Sequence, residues 1–252
     1  MLYNIPMDDS MLTFEPLGRK NFSMYQLKDG FRFGTDTVLL AWYTASFLKP
    51  GKEARLLELG ANCGAATLLL TARRDEAFTD AVEIDADACE VLKRNIEVNN
   101  LEDRVCAFNA DVRELPDELK QKQYDAVFMN PPFFKDETGP ASGKIGRYEH
   151  YGALSDFIST GASRLIPSKG IMTVVMTASR ADEVLCLMRD NGVKPFRFMS
   201  VHPTPSKKAE MVLIAGKKTN ANTQLEIMAP LILNDSDRMN DIYNKEHTDC
   251  FI

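Results

Sequence analysis

The tetrapeptide Asn130-Pro131-Pro132-Phe133 carries the most chemistry of any stretch of the chain. Two prolines remove two backbone donors and stiffen the turn. The proline after Asn130 pushes that residue toward extended backbone. The side-chain carbonyl of Asn130 and the main-chain carbonyl of Pro131 are then two acceptors that suit a planar –NH2 group with two N–H donors. The exocyclic amine of adenine is a poor nucleophile, because its lone pair is delocalised into the ring. Acceptors that hold both protons favour a pyramidal nitrogen and aim its lone pair at a methyl sulfonium. Positioning and preorganised electrostatics supply most of the catalysis, and no strong base is needed before attack. Phe133 would stack on the target base. The plainer reading is a proline-rich turn with Phe133 as core filler.

A second segment, Glu58-Leu59-Gly60-Ala61-Asn62-Cys63-Gly64-Ala65, suggests the methyl donor. A strand ends there, glycines allow a tight turn, and a helix opens, so a ligand can lie against bare backbone. The spacing is not the dinucleotide fingerprint GxGxxG, and Asn62 stands where a glycine might; Asn tolerates positive φ. A carboxylate at Glu58 opposes a pyrophosphate and suits the amino group and sulfonium of S-adenosylmethionine. Glu83, at the end of the next strand, could take both ribose hydroxyls. Asp85 is its fallback and reads better as the cap of the following helix. Asp111, after a third strand, could accept from the adenine amine or cap a helix. Cys63 reads as a small filler.

The elements that must position these residues alternate in kind. Strands are predicted over 55–59, 79–84, 104–109 and 124–129, with helices over 65–73, 87–98 and near 112–120 between them. That alternation calls for a parallel sheet covered on both faces, with ligands at the carboxyl ends of its strands. Further on, 135–147 is polar and aperiodic and reads as a long loop. A helix over 155–165, a strand over 170–177 that takes in the Met172–Met176 stretch as core, and a helix over 180–191 follow. Phe196–Val201 and Met211–Ala215 are expected to pair as an antiparallel hairpin.

Composition sets bounds. The chain has 252 residues, 44% of them hydrophobic, and a net charge of −6. It has no apolar run long enough for a membrane span and no basic-then-apolar leader. The five cysteines show no CxxC spacing and the three histidines no HExxH, so neither a disulfide framework nor a metal site is expected, and a reducing cytoplasm is. An acidic chain is not a generic nucleic-acid binder, but residues 193–218 carry six basic side chains against one acid, Glu210. Arg197, His202, Lys207 and Lys208, joined by Lys144 and Arg147 of the long loop, could grip phosphates; the plainer reading is a solvated hairpin tip. His150 reads as structural or RNA-contacting. The expected division is an N-terminal extension over 1–34, one catalytic domain over 35–233 and an acidic tail over 234–252.

Taken together, LLELGANCG, AVEIDAD, NADV and MNPPF resemble the class I S-adenosylmethionine-dependent methyltransferases that act on amines. The segments GFRFGTDTVLL (30–40), Arg147–His150, Val201–Pro203 and Ala209–Leu213 narrow the resemblance to the bacterial valine-tRNA (adenine-N6)-methyltransferase family, Gram-positive type, over residues 21–233. It implies a Rossmann-like fold with a mostly parallel seven-stranded sheet. It implies N6-methylation of an adenosine beside the anticodon, with S-adenosylmethionine as donor, S-adenosylhomocysteine as product and the anticodon stem-loop of tRNA as partner. By resemblance, Glu58, Gly60, Glu83, Asp111 and Asn130 to Phe133 carry the family's roles. Asp36 would cap the methionine end of the cofactor; read from the residues alone, it caps the helix bearing Val38, Leu39 and Trp42. The departure from glycine at Asn62 bears on cofactor affinity, not on the fold. Rival planar amines are a protein glutamine amide and the N2 amine of a ribosomal RNA guanine. Only about fifty residues precede the strand at 55, short for the extra helical domain that glutamine enzymes carry. A non-enzymatic RNA-binding module is disfavoured by the intact acids and the NPPF turn.

Overall fold

The computed structural model describes residues 8–30, 32–133 and 152–244. The loop expected over 135–147, with Lys144 and Arg147, and His150 lie outside them. After a 3-10 turn at Asp9–Met11, the described chain forms a hairpin, β1 (Leu12–Pro16) and β2 (Ser23–Leu27), in register Phe14↔Tyr25. Helix α1 (Thr35–Ala45) follows. The expected alternation then appears: β3 (Ala54–Leu59), α2 (Ala65–Thr71), β4 (Ala77–Glu83), α3 (Ala86–Val98), β5 (Val105–Asn109), α4 (Asp117–Lys120) and β6 (Ala126–Met129). The second half contains α5 (Leu154–Arg164), β7 (Ile171–Thr177), α6 (Ala181–Asp190), β8 (Val193–His202) and β9 (Met211–Lys218). Two short strands, β10 (Glu226–Ile227) and β11 (Leu231–Ile232), and helix α7 (Ser236–Asn244) end the described chain.

The seven longer strands of the main sheet run β8-β9-β7-β6-β3-β4-β5, with β10 and β11 both alongside β8. Every neighbouring pair from β7 to β5 is parallel, while β9 is antiparallel to both β7 and β8. The chain order reverses between β3 and β6, so β3 and β6 diverge into their loops at a switch point, where open α/β sheets bind ligands. Burial on both faces explains the near-continuous apolar strands: Ala126 and Phe128 pack with α1, α2 and α7, Val127 and Met129 with α5 and α6.

One local difference from expectation has a physical cause, and both end segments pack on the domain. The helix near 112–120 shrinks to α4 because Pro116 sits at its N-cap and disfavours helical backbone before it. Within the expected N-terminal extension, the hairpin packs with α3 in one apolar cluster. Within the expected acidic tail, α7 buries Met239 and Ile242 in the core. Arg19 and Arg73 donate to the carbonyl of Ile242 at 3.1 and 2.8 Å, and Arg238 lies over Trp42. Arginines near a helix C-terminus satisfy its free carbonyls.

Candidate active site

The turn after β3 is built on left-handed backbone. Gly60, Asn62 and Gly64 have φ of 75°, 50° and 87°. Asn62 therefore does what its type allowed: it adopts positive φ, and its Oδ1 accepts from the N–H of Cys63 at 2.6 Å. The two glycines differ in purpose. A Cβ on Gly60 would stand 3.1 Å from Phe157, in the floor of a pocket of about 300 Å3. A Cβ on Gly64 would stand 2.3 Å from Leu92. Gly64 lets α2 and α3 approach and is not itself on the pocket wall.

Among the described residues, five acids, Asp29, Glu58, Glu83, Asp85 and Asp87, line that pocket against a single lysine, Lys28. Glu58 is 2% exposed and accepts from the Thr67 hydroxyl. Burial pushes its carboxyl up to about 8, with Thr67 opposing the shift and the nearby Glu83 adding to it. Burial also raises Glu83, against the pull of backbone donors. Its carboxylate accepts from the N–H of Asn62 at 2.7 Å and of Asp85 at 2.8 Å, so it ties β4 to the glycine turn. Asp85 caps α3 through Ala88 at 2.9 Å, the reading preferred for it. Asp111 stands beside the pocket, whose wall its neighbour Val112 joins. It caps no helix; Arg113 engages its carboxylate and holds it below the usual range. The Cys63 thiol is buried and pushed up to about 12, which makes it inert filler.

Asn130, Pro131, Pro132 and Phe133 form one wall. Asn130 Nδ2 donates to Asp36 Oδ2 at 3.0 Å. A carboxylate only accepts, so it forces the amide to turn its NH2 toward Asp36. Asn130 Oδ1 is then left buried, with no hydrogen-bond partner among the described residues. An orphaned buried acceptor costs about 1–3 kcal/mol and calls for a functional account. Asp36 does not serve as the N-cap of α1. Gly34 occupies that position, and Asp36 Oδ1 accepts from Thr37 N in the first turn. Phe133 lines the pocket and packs on the core with the same ring.

Two contributors had no clear sequence signal. Met24, Gln26 and Leu27 of the hairpin roof the pocket, though the period-two pattern of 23–27 could have marked the strand. Phe157 of α5 closes the floor. Of the residues expected to meet RNA phosphates, the four that are described do not form one cluster. Lys207 and Lys208 are exposed in the β8–β9 loop. His202 braces that loop, Nδ1 to the carbonyl of Lys207 at 2.8 Å and Nε2 to Ser200 at 3.0 Å. Arg197 lies back in β8, paired with Glu226 at 3.1 Å. Because β8 is parallel to β7, its loop lies at the same end of the sheet as the pocket, three strands from β6, roughly 15 Å at ordinary strand spacing.

These residues fit S-adenosylmethionine: bare backbone at Gly60, an excess of carboxylates for a cationic ligand, and an unpaired acceptor at the wall. Among the described residues no group of His, Cys, Asp and Glu is arranged to hold a metal ion, and no helix is long and apolar enough to cross a membrane.

The profile of the methyltransferase small domain matches residues 37–189. The tRNA1(Val) (adenine(37)-N6)-methyltransferase of Flavobacterium johnsoniae is 29% identical over 91% of this chain and 94% of its own length. The protein of the same name from Parabacteroides distasonis is 29% identical over 77% and 80%. Among solved structures, a predicted O-methyltransferase from Agrobacterium tumefaciens superposes with a TM-score of 0.65 at 21% identity, covering 81% of this chain and 94% of that one. M. jannaschii TYW2 in complex with AdoMet superposes at 0.56 and 15%, covering 82% and 85%. These likenesses establish the Rossmann-like class I methyltransferase fold.

Proposed function

Because the chain belongs to the methyltransferase small domain family, we propose that it methylates the N6 amine of an adenosine beside the anticodon of a valine tRNA, position 37 in its relatives' names. The observation that carries this reading is the orphaned Oδ1 of Asn130. An adenine amine placed there gives it the missing donor, and the Pro131 carbonyl takes the second proton. Phe133 stacks on the base. With both N–H bonds engaged, the nitrogen lone pair is held toward the cofactor side of the pocket. S-adenosylmethionine, when bound, supplies an electrophilic methyl group on a cationic sulfur. Glu58 receives its amino group and Glu83 its ribose hydroxyls, while Gly60 and Asn62 present backbone to it. Asp111 is assigned the adenine end, using lone pairs that Arg113 leaves. Asp36 acts from behind, by fixing the Asn130 amide. After transfer the product nitrogen is acidic and loses its proton without a dedicated base.

Lys207 and Lys208 are proposed to hold the anticodon stem-loop by its phosphates, with Lys144 and Arg147 assisting and His202 and Arg197 shaping their surroundings. A loop base is already partly unstacked, which lowers the cost of presenting it. A cytoplasmic location follows from such a substrate. The Gram-positive assignment rests on Val201–Pro203 and Ala209–Leu213 alone.

The test offers labelled S-adenosylmethionine with total tRNA, ribosomal RNA and protein from cells lacking this protein. Label is expected in one tRNA as N6-methyladenosine. Label in protein or ribosomal RNA, with none in tRNA, overturns the reading. Asn130→Ala is expected to lower turnover by about 10²–10³-fold and to leave cofactor affinity within about twofold; a parallel loss of cofactor binding contradicts the role given to Oδ1.

A further inference from the structure

Pro131 and Pro132, in the middle of the turn that presents the acceptors, offer no backbone donors. The turn is held through its carbonyls and side chains by partners from elsewhere. Asp36 holds one end, at Asn130. At the other end Arg180 Nη1 donates to the carbonyl of Pro132 at 3.2 Å. Arg180 stands at the N-cap of α6, just past the end of β7, the strand beside β6. Its side chain is 9% exposed, and Glu183 grips the guanidinium at two points, Nε to Oε2 and Nη2 to Oε1, both 2.8 Å.

We propose that Arg180, oriented by Glu183, is a positioning residue for the transfer step: it pins the Pro132 carbonyl and thereby sets Phe133 and the two acceptors of the turn. A planar fork held by a carboxylate has one orientation, so the Nη1 donor that meets Pro132 is aimed, not merely nearby. The donor is charged and buried, which makes it a strong partner for a neutral carbonyl. Pro132 is bonded directly to Phe133, so a shift of its peptide plane turns the ring on which the base stacks. A purely architectural Arg180, serving only the first turn of α6, predicts a lower melting temperature and an unchanged transfer step. A positioning Arg180 predicts a slower transfer step with cofactor affinity intact, because neither Arg180 nor Glu183 is on the pocket wall.

The kinetic part of this inference rests on the proposed amine methylation, so a second readout independent of substrate is included. Arg180→Ala, Arg180→Lys and Glu183→Gln are made in the full chain, with 4-fluorophenylalanine placed at Phe133 for fluorine NMR. Single-turnover transfer to tRNA is expected to fall by about 10–100-fold in Arg180→Ala and by less in Arg180→Lys and Glu183→Gln, which keep part of the pair. Cofactor affinity by calorimetry is expected to stay within about twofold. The fluorine line, single in the parent, is expected to split or broaden in all three. If Arg180→Ala does not fold, the two conservative variants decide. Transfer within twofold of the parent together with an unchanged fluorine line overturns the inference, and so does a loss of cofactor affinity as large as the loss of rate. If the parent methylates no tRNA, the function proposed above fails, and the fluorine line alone decides the role of Arg180.

Discussion

One carboxylate decides what Asn130 can do. Without Asp36 the amide could present either its NH2 or its oxygen to the pocket. With Asp36 on its NH2, the oxygen is the end left without a partner among the described residues, and on the proposed function it takes a donor and rejects an acceptor. Glu58 makes a different residue-scale point. Its carboxyl, near 8 in the folded protein and near 4.5 for an ordinary glutamate, is neutral at pH 6 in the folded chain and ionised in the unfolded one. Unfolding then releases a proton, so stability falls as pH rises from about 4.5 to about 8 and is level above that. Glu58→Gln removes this dependence. Its melting temperature is expected to exceed that of the parent by a margin that grows from pH 5 to pH 8; a margin constant with pH would show that Glu58 is ionised in the fold. For the cofactor the sign is opposite. A cationic ligand favours the ionised carboxylate, so affinity should rise with pH toward 8 in the parent and change little in the variant.

At the scale of elements, the roof of the pocket is attached by an unusual join. Helix α3 and its C-cap offer two asparagines four residues apart to the free edge of β2. Asn95 accepts from Tyr25 N at 2.6 Å and donates to Tyr25 O at 2.9 Å; Asn99 does the same for Ser23, at 3.0 and 2.7 Å. Four helical residues rise about 6 Å and two strand residues about 6.6 Å, so the two repeats match over this length. Asn95 also donates to the carbonyl of Cys63 at 2.9 Å, which links the roof to the glycine turn. Asn95→Ala is therefore expected to weaken S-adenosylmethionine binding by about tenfold or more, since each lost buried bond costs about 1 kcal/mol or more. Asn99→Ala, farther from the turn, should weaken it less. Calorimetry with equal affinities for Asn95→Ala and the parent would leave the hairpin as a passive cover.

Across the whole molecule, charge is separated by position. The pocket is acidic and the β8–β9 loop basic, at one end of the same sheet. On the proposed function, that division lets an overall acidic chain take a cationic cofactor and an anionic RNA side by side. Lys207→Glu combined with Lys208→Glu is expected to weaken tRNA binding and to flatten its dependence on salt, by a slope of about 0.7–0.9 for each phosphate no longer neutralised. Binding titrations at several salt concentrations with an unchanged slope would return both lysines to plain surface.

Much of this was legible in the sequence because it is local. Alternating apolar runs and helical stretches determine a covered parallel sheet, and the glycines with Asn62 determine a left-handed turn, since both depend on residues a few positions apart. The Asn-Pro-Pro-Phe wall belongs to the same class. The tertiary structure decided the rest through long-range partners: Asp36 behind Asn130, 94 residues apart, and Asn95 on Tyr25, 70 apart. Arg180 on Pro132 is the third, 48 apart. No local period encodes such pairs. They exist because β6 enters the sheet between β3 and β7, which brings the start of α1, the glycine turn and the end of β7 around one strand end. Helix α7 is of the same kind: its polar composition reads as a tail, and only a core with room for Met239 and Ile242 makes it a packed helix.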